Sequence, residues 1–217
     1  MNSRDKILSR LKSVSPAGIQ LPPHQADREI YLDHPGESAS LLESFQHQLL
    51  LLHGEVHLAT NPEQASGLLY NIVKEFPTKS CLLQNSAFID DVIKGKKELE
   101  VFIDKTFPLE EDSVSYSKFT AGITTADYLV ARTGSILLTS APAGRRLSVL
   151  PPVHIVLARE EQIVPSLEDA YAFLKEKSLD WSYAVLISGP SRTSDIEKQL
   201  VLGAHGPKRL LVIIIRS

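Results

Sequence analysis

Apolar positions recur along this chain in two rhythms, and the alternation between them is its main structural signal. Near the amino end Ile7, Leu8, Leu11 and Val14 fall three and four residues apart, the stripe of a short helix over residues 3–14. Residues 15–36 break that rhythm with Pro16, Gly18, Pro22, Pro23, Pro35 and Gly36, and read as an irregular arm. From residue 37 onward helical and strand patterns alternate. A helix through Leu41, Leu42, Phe45, Leu49 and Leu52 leads to a strand at 55–59. Asn61 and Pro62 suit the N-cap and first position of a helix through Ala65, Leu68, Leu69 and Ile72. A strand at 80–83, a helix near 87–94 and a strand at 99–103 follow.

In the second half, strand-like runs occur at 135–139, 154–158, 183–188 and 210–215. The last two are almost continuously aliphatic, as expected of central strands covered on both sides. Thr124 and Thr125 suit the cap of a short helix through Tyr128, Leu129 and Ala131. Ser166 with Asp169 marks a helix start, and another helix is expected over 193–202, closed by Gly203. Together these patterns predict an α/β protein with an open, mostly parallel sheet and helices on both faces. The expected organisation is an amino-terminal helix and arm over residues 1–36 and an α/β domain over 37–217.

Composition narrows the function classes. An apolar fraction of 43% and a charged fraction of 23% are those of a globular chain. The net charge of −3 gives no electrostatic footprint for nucleic acid or an anionic membrane. The longest apolar runs, such as 210–215, fall far short of the ~20 residues that span a bilayer. No apolar block follows the charged amino end, so no secretory leader is expected and the cytoplasm is the expected location. Cys81 is the single cysteine, which excludes an intramolecular disulfide and an iron–sulfur cluster held by this chain's own thiolates. It reads as a buried core thiol. His53 and His57 straddle a turn at Gly54, and no metal site is expected.

The segment richest in chemistry is the strand at 183–188 running into Gly189-Pro190-Ser191-Arg192-Thr193. A helix starting there offers free amides and a positive dipole end to an anion. Gly189 allows close backbone approach, Ser191 and Thr193 add hydroxyls, and Arg192 adds a forked cation suited to carboxylate or phosphate. Ligands in open α/β sheets sit beyond the carboxyl ends of strands, where this loop is expected to fall. The same residues also serve as ordinary caps and surface pairs, Ser194 with Glu197 among them. The loop is neither a Walker-type nor a dinucleotide-type glycine fingerprint.

Two further groups stand out. His205, in the turn Gly203-Ala204-His205-Gly206-Pro207, suits acid–base work or an anion contact, and Asp195 flanks the same expected helix. The stretch from Thr120 to Ser135 carries Thr124, Asp127, Thr133 and Gly134, with Arg145 and Arg146 after the next strand. Asp127 reads either as a first-turn acid or as a site acid, and the two arginines as partners of Arg192 around an anion or as a solvated edge.

The order Gly122-Ile123-Thr124, Thr133-Gly134-Ser135, Arg146, Leu150-Pro151-Pro152-Val153-His154-Ile155, Gly189 through Glu197, and Gly203 through Pro207 resembles the LUD-domain family. Within it the chain is similar to the short, cluster-free lactate utilization protein C type. The likeness spans about residues 37–217 and is dense from 120 onward. It implies an open α/β fold like that of NagB, ribose-5-phosphate isomerase and CoA transferases. It also implies a role in oxidising L-lactate to pyruvate beside iron–sulfur proteins of the same operon, with no cofactor held by this chain. The expected ligand is a small carboxylate or other anion, held by Gly189, Ser191, Arg192, Thr193, Thr124, Thr133, Gly134, Arg146, His205 and Gly206. His205 and Asp195 are the catalytic candidates. The alternative is a stand-alone CoA-transferase-like or folate cyclo-ligase-like enzyme acting on a phosphorylated substrate. A homo-oligomer is compatible with either reading. Arg132 stands where the family usually has Glu, an added cation that favours anion binding over acid–base work at that position.

Overall fold

The computed structural model describes residues 3–13, 40–77, 80–94, 96–107, 118–139, 146–176, 183–194, 200–202 and 206–216. Internal contacts divide the chain into two units, Met1–His34 and Pro35–Ser217. The first contains helix α1 (Ser3–Ser13), with Ile7 and Leu8 exposed. In chain order the second contains α2 (Leu41–Leu51), β1 (Glu55–Ala59), α3 (Pro62–Val73), β2 (Cys81–Gln84), α4 (Ala87–Ile93), α5 (Lys97–Glu100) and β3 (Ile103–Phe107). There follow β4 (Ala121–Thr125), β5 (Tyr128–Val130), β6 (Ser135–Thr139), β7 (Val153–Arg159), β8 (Ile163–Val164) and α6 (Leu167–Glu176). Last come β9 (Ala184–Ile187), β10 (Arg192–Ser194), β11 (Leu200–Leu202) and β12 (Arg209–Ile215).

Six strands form a sheet in the order β1-β12-β7-β4-β2-β3, every neighbouring pair parallel. Along β12 alternate side chains enter two different cores. Leu211, Ile213 and Ile215 pack with Leu69, Ile72 and Val73 of α3 and Ile89 and Val92 of α4. Leu210, Val212 and Ile214 pack with Leu42, Phe45 and Leu49 of α2 and with Leu129, Ile136, Leu138 and Ile163 of a second, four-stranded sheet. That smaller sheet has the order β8-β5-β6-β9. The α/β class and the parallel sheet are as the sequence predicts, and one face is shared between a helix and a sheet.

The helix starts follow from local chemistry. Ser40 accepts from Glu43 N–H at 3.2 Å while the Glu43 carboxylate accepts from Ser40 N–H at 2.9 Å. Asn61 caps α3 by accepting from Gln64 N–H at 2.8 Å, with Pro62 in the first turn. Ser166 and Asp169 form the same reciprocal arrangement at the start of α6.

Four expected elements differ. Residues 99–102 are the end of α5 and the turn into β3, so the strand expected at 99–103 begins only at Ile103. The expected helix around Tyr128 is β5, paired antiparallel to β6. Asp127 closes that hairpin by accepting from Thr139 N–H and Oγ1 at 2.7 and 3.0 Å, so its carboxylate is a tie between strands. The run at 183–188 is not central to the main sheet: β9 is a half-buried edge of the smaller one. The helix expected over 193–202 is replaced at its described ends by an antiparallel pair, β10 with β11. There Thr193 and Val201 are register partners.

Phe45 is fully buried between the layers, whereas Leu50 on the same helix is 68% exposed. Phe45→Ala is expected to cost about 3–5 kcal/mol in urea unfolding. Leu50→Ala should change stability by less than about 0.5 kcal/mol.

Candidate functional site

The core between the two sheets ends in a cavity of about 250 Å³. Its wall takes Ser148 and Val149 from the turn before β7, His154 from β7, Leu210 from β12 and Leu186–Ser188 from β9 and its end. Two loop segments complete it, Gly189–Ser191 and Gly206-Pro207. His154 and Leu210 are register partners, each the second residue of its strand. The cavity therefore lies at the amino ends of β7 and β12, not beyond the carboxyl ends of the main sheet as expected. The Gly189 loop does follow a strand's carboxyl end, but that strand is β9 of the smaller sheet.

Close contacts bring the loops together. Ser191 N–H donates to the Pro207 carbonyl at 2.8 Å. A Cβ on Gly206 would stand 3.0 Å from the Ser191 Cβ, so these segments touch. The Ser188 and Ser135 hydroxyls are 2.7 Å apart, tying the start of the loop to β6. Gly189 has φ +87°, and a Cβ there would come within 2.6 Å of the Leu52 carbonyl oxygen. Its glycine character thus serves the close packing against the end of α2. Gly122, the register partner of His154, leaves room for the Leu147 carbonyl, which brings the 146–150 turn close to β4.

His154 is the most unusual member. The side chain is fully buried, and Nε2 lies 2.9 Å from the Thr124 Oγ1. Nδ1 has no hydrogen-bond partner. Burial pushes the imidazole pKa down to about 3, so the ring is neutral at ordinary pH. The described wall carries no Asp, Glu, Lys or Arg. It combines three serine hydroxyls and an imidazole with Val149, Leu186, Ile187 and Leu210, a lining that suits a small molecule with one polar and one apolar side.

The LUD domain model matches residues 42–215. The chain belongs to the LUD-domain family. It is 26% identical to lactate utilization protein C of Halalkalibacterium halodurans over 210 residues, covering 93% of this chain and 90% of the relative. It is 27% identical to the protein of that name from Bacillus pumilus, covering 94% and 90%. An uncharacterized protein of Neisseria meningitidis serogroup B is 28% identical, covering 99% and 94%. The fold agrees with the crystal structure of a DUF162 family protein from Deinococcus radiodurans, at a TM-score of 0.57 and 21% identity over 81% of this chain and 96% of that one.

In this LUD-domain protein the motif residues divide by position. Gly189, Ser191 and Gly206 line the cavity together. Thr124 is fully buried and one contact behind it, through His154. Arg192 is exposed at the start of β10 and outside the described wall, and Thr193 follows it in that strand. Among the described residues no helix begins at Thr193, so no helix amino end faces an anion there. Thr133 is exposed, and Gly134, at φ +60°, packs against the backbone of Gln48 and Leu49. Arg146 is exposed and already engaged in an interaction, and Arg132 donates its N–H to the Pro165 carbonyl at 3.1 Å. Asp195, His205 and Arg145 lie outside the described residues. His154 was not singled out as a site residue by sequence reasoning, although it stands inside the Pro-Pro-Val-His-Ile motif.

Among the described residues no three His, Cys, Asp or Glu side chains cluster as metal ligands. Burial raises the Cys81 thiol to about 12, which keeps it protonated and unsuited to ligation at neutral pH. No helix among the described residues is long and apolar enough to cross a membrane.

His154 also sets a pH dependence of stability. An unfolded histidine titrates near 6.5 and the folded one near 3, so acid protonates the unfolded chain first. Its contribution is present above pH 6.5 and is lost as the pH falls toward 3. Between about pH 7.5 and pH 5 this group should remove roughly 2 kcal/mol of unfolding free energy. Urea titrations of the wild-type chain and His154→Asn at both pH values measure it. The drop should shrink by that amount in the variant.

Proposed function

We propose that this protein is a non-redox subunit of a lactate-utilization system oxidising L-lactate to pyruvate. In this reading it binds a small carboxylate or similar anion in the cavity framed by Gly189–Ser191 and Gly206. Similarity to lactate utilization protein C over most of both chains supports the role. The observation that carries the site is the meeting of the two motif loops, Ser191 N–H on the Pro207 carbonyl, over a cavity of about 250 Å³. A compartment of that size suits a molecule of a few carbons, with its methyl or methylene side toward Leu186, Ile187 and Leu210. The serine hydroxyls and the imidazole supply the polar side. Arg192 follows directly on the wall residue Ser191 and lies exposed outside the described wall. Electron transfer in this scheme belongs to iron–sulfur partners of the same operon, since the one thiol here is buried and protonated.

The helix amino end at Thr193 expected to hold the carboxylate is the strand β10, so the site rests on the cavity. The alternative of a stand-alone enzyme on a phosphorylated substrate rests on His205 and Asp195, outside the described residues. Calorimetry of the isolated protein with L-lactate, pyruvate and inorganic phosphate separates the two readings. Binding of either carboxylate is expected, and Ser191→Ala should weaken it about two- to tenfold, the range of one neutral hydrogen bond. Heat with phosphate alone would favour the alternative.

A further inference from the structure

We infer that His154 presents its Nδ1–H to an oxygen of the bound ligand, a small monoanionic carboxylate. This rests on the cavity being the ligand site, as proposed above, and adds which group recognises the ligand and through which atom.

Other positions of β7 that share a face with His154, namely Val156 and Ala158, are aliphatic, and so is its register partner Leu210. An aliphatic side chain there would complete the core without an unmet ring nitrogen, though the Thr124 hydroxyl would lose its bond. A buried donor or acceptor left unmet costs about 1–3 kcal/mol, so a histidine in this place calls for a physical reason. Donor counting fixes its tautomer. If the Thr124 hydroxyl donates to Nε2, the hydroxyl hydrogen is satisfied and a single group, Nδ1–H, is left over. If Nε2–H donates to Thr124, the hydroxyl hydrogen and the bare Nδ1 are both left over. The first arrangement strands fewer groups, and it makes Thr124 the residue that holds the hydrogen on Nδ1.

A neutral N–H donor in a cavity wall selects a hydrogen-bond-accepting oxygen, as in a carboxylate or a keto group. The described wall bears no charged side chain, which suits a monoanion better than a phosphate dianion. Nδ1 has less than 1 Å² open to solvent, so the ligand oxygen meets it only as neighbouring wall side chains turn aside. Shielding from water also strengthens the bond once made.

Bond counting supplies the test. The amide nitrogen of asparagine lies two bonds from Cβ, like Nδ1, and that of glutamine three bonds, like Nε2. In calorimetry with L-lactate and pyruvate, His154→Gln should therefore lose about tenfold or more in affinity, while His154→Asn stays within about threefold of wild type. Nitrogen-15 NMR of the wild-type ring should place the hydrogen on Nδ1, a readout that does not depend on either variant folding. A hydrogen on Nε2, or wild-type affinity in His154→Gln, overturns this inference alone. Failure of the wild-type chain to bind either acid overturns the functional reading together with it.

Discussion

Past its first residue, strand β12 has no face that water can reach. From Leu210 to Ile215 every side chain is buried, and a parallel ladder of this kind holds only when both of its faces are covered. One row of aliphatic groups requires the layer of α3 and α4, the other the layer of α2 and the smaller sheet. The second requirement places the site. Twisted sheets packed face to face do not stay in register to their ends. The cavity lies at the amino ends of β7 and β12, lined by that sheet and by β9 of the smaller one. The loops around it belong to the covering layer and its connections, while its most buried polar group belongs to the covered sheet.

Much of this architecture was legible because local signals agreed with tertiary packing. The spans of β1 and β6 follow from their apolar runs, and α2, α3 and α6 start at or beside the residues whose side chains cap them. Reading failed where a cap and a cross-strand pair competed for the same residues. Asp127 looks like a first-turn acid until Thr139 is known to lie across from it, and Thr193 looks like a helix start until Val201 is. The aliphatic run of β9 signals burial but cannot say which of two sheets provides it.

The candidate site was half legible for related reasons. Gly189, Ser191 and Gly206 stand in turns beside strong strands, and their identities advertise tight geometry. Arg192 drew attention by its charge. Successive side chains in extended backbone point to opposite sides, so the neighbour of a wall residue tends to face away from that wall. His154 carried the weakest signal, because one histidine between Val153 and Ile155 reads as core. Only the pairing of β7 with β4 and β12 shows that it sits at the end of the core, in contact with Thr124 and beside the loops.

The same sheet supplies a control for how that histidine should be understood. One residue beyond Thr124, the buried Gln84 accepts from Thr125 N–H at 2.8 Å and donates to Thr125 Oγ1 at 3.1 Å. Two groups taken out of water there find partners in each other, in keeping with the general rule for buried amides. The fold can therefore satisfy polar side chains at this depth. Thr124 and His154 form only half of such an arrangement, with one bond made and Nδ1 left over. Burial in an apolar layer raises the cost of that omission and would equally raise the worth of the missing bond. A group so placed has one bond still to make, and it stands in the wall of the cavity that Gly189–Ser191 and Gly206-Pro207 help to line.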